Sequence, residues 1–148
     1  MEPEINLAVA AGAALIPMIV GAIFYGPLFG RQWMDSLGFK ESSMPEPIKM
    51  PIVYALALLM SFILAYFLPQ LVEHAHRGVN DAGVLVFTSD HTFKHGAFHG
   101  VQFGAALIIP VLISNLLFQR NSAKNILLNV VYWLVTLALV GGVMDAFS

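Results

Sequence analysis

The residues best equipped for chemistry lie between Asp90 and Gly104, where His91, His95 and His99 recur every four positions and Gln102 continues the row. Gly96, Gly100 and Gly104 repeat at the same interval beside them. A helix through this stretch stacks the polar residues in one row and the glycines in an adjacent one. Imidazole is the commonest protein ligand for transition metals, and zinc is the ion such a row would suit best. Geometry limits the idea. His95 and His99, one turn apart, can grip one ion, but His91 and His99 are two turns apart, about 12 Å at 1.5 Å per residue. Glu73, His74, His76 or Asp145 must therefore complete any site, and a catalytic metal would also keep one position open for water. The candidate metal ligands are His95, His99, His74, His76 and Glu73. His99, Gln102 and Asp145 are the candidates for holding another small ligand.

These residues need elements to position them, and composition says which. The chain has 148 residues, of which 58% are hydrophobic and 11% charged, and its mean hydropathy is +0.77. A soluble domain carries about 25% charged residues, so the expected class is integral membrane, as a single domain. The net charge of −2 offers no basic field for nucleic acid. Without cysteine there is no disulfide, thiolate metal site or cysteine nucleophile. The N-terminus carries Glu2 and Glu4 where a signal peptide would carry Lys or Arg, and its apolar run reads as a first span.

Crossing the hydrocarbon takes about 20 mostly apolar residues. Four stretches qualify: 5–24, 51–72, 97–118 and 126–147. The expected fold is all-α, a four-helix transmembrane bundle. Pro110 lacks the N–H that would bond to the Ala106 carbonyl, which predicts a kink. Leu28, Phe29, Trp33, Met34 and Leu37 suit a short interfacial helix after the first span. Residues 40–49 read as a solvated loop, Val84–Phe87 as a short extended piece, and 119–125 as a tight polar turn. Arg31, Lys40, Lys49, Arg120 and Lys124 fall on one side of the bundle and only Arg77 and Lys94 on the other. The first side is expected to be cytoplasmic and both termini to face outward. Alternation of spans then gathers all five histidines at the outer end with Glu4, Glu73, Asp90 and Asp145.

Three segments carry a family likeness: Gly21-Ala-Ile-Phe-Tyr-Gly-Pro-Leu-Phe-Gly-Arg-Gln-Trp-Met, Thr92-Phe-Lys-His-Gly-Ala-Phe-His-Gly, and Asn129-Val-Val-Tyr-Trp-Leu-Val-Thr-Leu-Ala-Leu-Val-Gly-Gly. Over most of its length the chain resembles the small bacterial membrane proteins grouped as domain of unknown function 1761. The resemblance implies four spans in a bacterial inner membrane and no particular reaction.

Each feature also has a plainer reading. The histidines can cap and hydrogen-bond helix ends, with Asp90 as N-cap of the third span. The glycine row can seat a neighbouring span or a second copy, making a homo-oligomer through Gly96, Gly100 and Gly104. Asn125, Asn129, Tyr132 and Thr136 share a face of span four, where hydrogen bonds between helices are expected, with Ser114 and Asn115 of span three at the same depth. No span carries a charge at its centre, which argues against a proton-coupled pump or voltage sensor. Phosphate-loop, G-x-S-x-G and H-E-x-x-H motifs do not occur, and Ser61 has no base near it in sequence. Three functions stay in view. The first is a binding or transport-accessory protein holding a divalent metal or small ligand at the histidine end. The second is a structural or partner-binding subunit, and the third a membrane enzyme using His95 or His99 on a lipid-like substrate. His99, inside an apolar span, is the residue most expected to be functional.

Overall fold

The structure, a computed structural model, describes residues 5–38, 50–75, 77–87 and 91–147. It is a helical bundle with four helical stretches long and apolar enough to cross a membrane: Leu7–Leu28, Pro51–Val72, Phe93–Phe118 and Ala123–Phe147. The all-α expectation is borne out, and the second span has the expected limits. The first runs four residues further. The third starts at Phe93 and the fourth at Ala123, because polar caps and first turns belong to a helix that a count of apolar residues cannot see.

Prolines divide the first span. It begins at α1 (Leu7–Ala13), capped by the Asn6 side chain, which accepts from the N–H groups of Ala8 and Val9. α1 stops at Ala13, the residue whose carbonyl the missing Pro17 N–H would have bonded. α2 (Ile16–Ile23) follows, then a π-helical turn at Phe24–Leu28 containing Pro27. There the Phe29 N–H reaches back five residues to the Phe24 carbonyl at 2.9 Å. Gly26, just before Pro27, leaves the helical region, as a residue preceding proline tends to. α3 (Gly30–Leu37) is the short helix expected after the first span; it ends on Gly38, whose φ of 64° suits glycine at a left-handed cap.

α4 (Met50–Ala75) runs through Pro69 without interruption. An antiparallel pair, β1 (Arg77–Val79) and β2 (Leu85–Phe87), joins it to span three, so the extended piece expected at Val84–Phe87 is one arm of a hairpin. Span three consists of α5 (Phe93–Phe103), a π-helical turn at Gly104–Ile108, and α6 (Ile109–Phe118). The expected kink at Pro110 takes this form: one extra residue in the turn absorbs the lost hydrogen bond. A short connection leads to α7 (Ala123–Phe147), the helix that most of the others pack against.

The core is built on α7. Leu137, Val140 and Met144 are buried against Ala10 and Ala13 of α1 and Ala65 and Leu68 of α4. At the opposite end the polar face of α7 ties down the segments around the first loop. Asn125 donates to the Ser36 hydroxyl at 3.0 Å, and Ser122 donates to the Ser36 carbonyl at 3.1 Å. Tyr25 donates to Asn129 at 3.1 Å and Tyr132 to the Pro17 carbonyl at 2.9 Å. Tyr25 and Trp33 pack with Phe24, Phe29 and Tyr132 in one aromatic cluster. These are the hydrogen bonds between helices expected of Asn125, Asn129 and Tyr132.

Candidate functional site

The site is assembled by a close crossing of α5 and α7. A Cβ on Gly96 would overlap the Gly141 carbonyl and the Asp145 side chain. One on Gly100 would overlap the Leu137 carbonyl, one on Gly104 the Leu137 side chain, and one on Gly141 the Gly96 carbonyl. The two backbones therefore touch, as small-xxx-small packing allows. The glycine row faces span four of the same chain.

This crossing sets Asp145, only 7% exposed, beside the start of α5. Thr92 caps that helix: its hydroxyl accepts from the His95 N–H at 3.3 Å, and its own N–H donates to Asp145 Oδ2 at 3.1 Å. The same oxygen lies 2.8 Å from His95 Nδ1, and Asp145 Oδ1 lies 3.4 Å from His91 Nδ1. A carboxylate accepts, so Nδ1 of His95 donates and Nε2 is the nitrogen suited to act as acceptor or metal ligand. A carboxylate behind a histidine in this manner fixes the tautomer and the orientation of the ring.

The expected cap and the expected stack both need correction. Thr92, not Asp90, is the N-cap, and Asp90 lies outside the described residues. His91 precedes the helix, so the three histidines do not form one helical row; His91 and His95 instead meet through Asp145. His95 and His99 do lie one turn apart, with ring centroids 4.5 Å apart in an edge-on arrangement. His99 is packed between Phe98 and Phe103, and its Nδ1 is buried. Gln102 departs from expectation: it is exposed, because turning the glycine face onto α7 carries position 102 to the opposite side of α5.

For a metal, the described residues offer His91, His95, His99 and Asp145, with Asp145 engaged by both His91 and His95. Among them no three His, Asp or Glu side chains are grouped so as to hold an ion. The Glu73 and His74 side chains and the whole of His76 lie outside the described residues.

A family model described as "Protein of unknown function (DUF1761)" matches residues 7–144, which takes in α1, the glycine crossing and all but the last turn of α7. The chain belongs to that family. The resemblance read from its three segments is thereby borne out. The DUF1761 match stops one residue short of Asp145, so the family assignment says nothing about the carboxylate at the centre of the site. No curated protein and no solved structure gives a significant match to the chain.

A second concavity lies away from the histidines. A cavity of about 590 Å³ opens among spans one, two and four, lined by Pro17, Met18, Tyr54, Ser61, Tyr132 and Trp133 among others, none of them histidine. Sequence reasoning missed Thr92 and this cavity. The first was detectable, since threonine directly before a helical run signals an N-cap.

Proposed function

We propose that this membrane protein is a binding or transport-accessory component that holds a divalent metal ion or other small polar ligand at its histidine end. The observation that carries the reading is the 2.8 Å contact between His95 Nδ1 and the buried Asp145 carboxylate, which orients the imidazole. Ionisable groups within an apolar helix are costly and by default point to function. In this reading His95 and His99 meet the ligand, His91 guards its aqueous side, and Asp145 positions the rings. A metal needs further ligands, and Glu73, His74 and His76 are the candidates. The Lys and Arg asymmetry supports an orientation with this end and both termini outside, and the family resemblance suggests a bacterial inner membrane.

The test is elemental analysis and zinc titration of protein purified without chelator. Stoichiometric zinc is expected, with affinity falling by at least tenfold in His95→Ala and by 10- to 100-fold in Asp145→Asn. Absence of metal, with thermal stability unchanged by zinc or chelator, overturns the metal form of the reading.

One observation favours a second, structural reading: Asp145 also accepts from the Thr92 N–H. In that reading the cluster is a clasp between α5 and α7. His91 separates the two, because its side chain is 44% exposed and adds little to packing. A ligand site loses affinity in His91→Ala while stability stays within about 0.5 kcal/mol; a clasp shows no ligand in either protein.

A further inference from the structure

The cavity among spans one, two and four contains a polar group that the bundle does not use. Ser61 lines it and is 8% exposed, and its hydroxyl has no hydrogen-bond partner among the described residues. Its position in the bilayer is defined by its helix. In the Pro51–Val72 span Ser61 is central, ten residues from the start, or about 15 Å at 1.5 Å per residue. That is the midplane of a hydrocarbon layer about 30 Å thick. Unpaired hydroxyls are unfavourable there. A phospholipid brings only its tails to that depth, so ordinary lipid cannot supply the missing partner.

The rest of the lining states what else is required. Its volume of about 590 Å³ is that of a small-molecule site. Tyr132, Trp133, Met18 and Met60 line the wall, surfaces that pack well against flat rings. The Tyr132 hydroxyl is already committed to the Pro17 carbonyl at 2.9 Å, and of the other donors on the lining, Tyr54, Ser61 and Trp133, only Ser61 is buried. Tyr54 and Met60, on the α4 side, are each 54% exposed, so the cavity opens sideways to the hydrocarbon.

We propose that this cavity binds an uncharged, ring-containing molecule dissolved in the bilayer, with a carbonyl oxygen that accepts from Ser61, the chemistry of a quinone. The site is separate from the histidine end and does not depend on it.

Trp133 is a built-in reporter. The protein with Trp33→Phe, reconstituted in lipid nanodiscs, leaves Trp133 as the sole tryptophan for titration with a short-chain benzoquinone. Saturable quenching is expected, with half-saturation about fivefold higher in Ser61→Ala, corresponding to one lost hydrogen bond. Ala57→Phe and Ala22→Leu, which fill the cavity from opposite walls, are each expected to abolish saturation while circular dichroism remains helical. His95→Ala is expected to leave the titration unchanged, which keeps the test independent of the histidine site. Quenching that rises linearly and equally in all these variants overturns the proposal. So does saturation obtained equally well with phosphatidylcholine brominated on its acyl chains, which marks a crevice filled by lipid tails.

Discussion

At the scale of single residues, Asp145 joins three residues of the histidine end. One oxygen serves Thr92 and His95 together, and the other faces His91. Replacing it removes hydrogen bonds to a buried carboxylate, which are worth more than neutral ones. Asp145→Ala is expected to destabilise the bundle by about 2–3 kcal/mol, as measured by reversible unfolding in mixed micelles. Thr92→Val keeps the shape but removes the cap, and the expected loss is about 1 kcal/mol. On the far end of α7, Tyr25→Phe deletes the bond to Asn129. An interhelical hydrogen bond in a membrane averages only about 0.6 kcal/mol, so the expected loss is below 1 kcal/mol. The contrast between these variants checks whether the buried carboxylate, rather than polarity in general, governs the histidine end.

At the scale of elements, the crossing of α5 and α7 is what makes the site possible. Glycine is needed at 96, 100 and 141 because the facing atoms are backbone carbonyls, which cannot move aside as a side chain end can. Gly100→Leu is expected to force the helices apart at a cost of about 3 kcal/mol or more, separating His95 from Asp145. Even Gly100→Ala is expected to cost about 1–3 kcal/mol. Gly12→Ala is the matched control. A Cβ there meets nothing within 4 Å, so helix propensity alone acts and a gain of up to about 1 kcal/mol is expected. Comparable losses at 12 and 100 would remove the close crossing from the account. The proline positions work differently. Pro17, Pro27 and Pro110 interrupt regular helix, whereas Pro69 is carried within α4.

At the scale of the whole molecule, the question is which way the bundle lies in the membrane. Arg31, Arg120 and Lys124 sit at the end opposite Lys94 and the histidines, and loops rich in Lys and Arg remain in the cytoplasm. Fusions of alkaline phosphatase and of a fluorescent protein to the C-terminus decide it. Phosphatase activity without fluorescence is expected for both termini outside, and the reverse pattern places the histidine site in the cytoplasm. Moving charge tests the cause: Arg120→Glu with Lys124→Glu is expected to produce mixed orientations.

Composition and periodicity were enough for the membrane class and four spans, because the need to satisfy every backbone group in hydrocarbon leaves few solutions for so apolar a chain. The four-residue spacing of Gly96, Gly100 and Gly104 likewise marked a close-packing face, and the alternation of spans placed Asp145 with His91 and His95 at one end. Local pattern did not reveal what the glycine face would meet, since a second copy and span four present the same kind of surface. Nor did it show that the helix starts at Phe93, which frees His91 from the row while Asp145 reunites it with His95. The exposure of Gln102 follows only once α5 is turned onto α7. The midplane cavity at Ser61 belongs to no motif at all, because it arises from the gap between helices that are far apart in sequence. Spacing along one helix is local and readable; rotation of that helix, and the space left between it and its neighbours, depend on contacts that form only when the chain has folded.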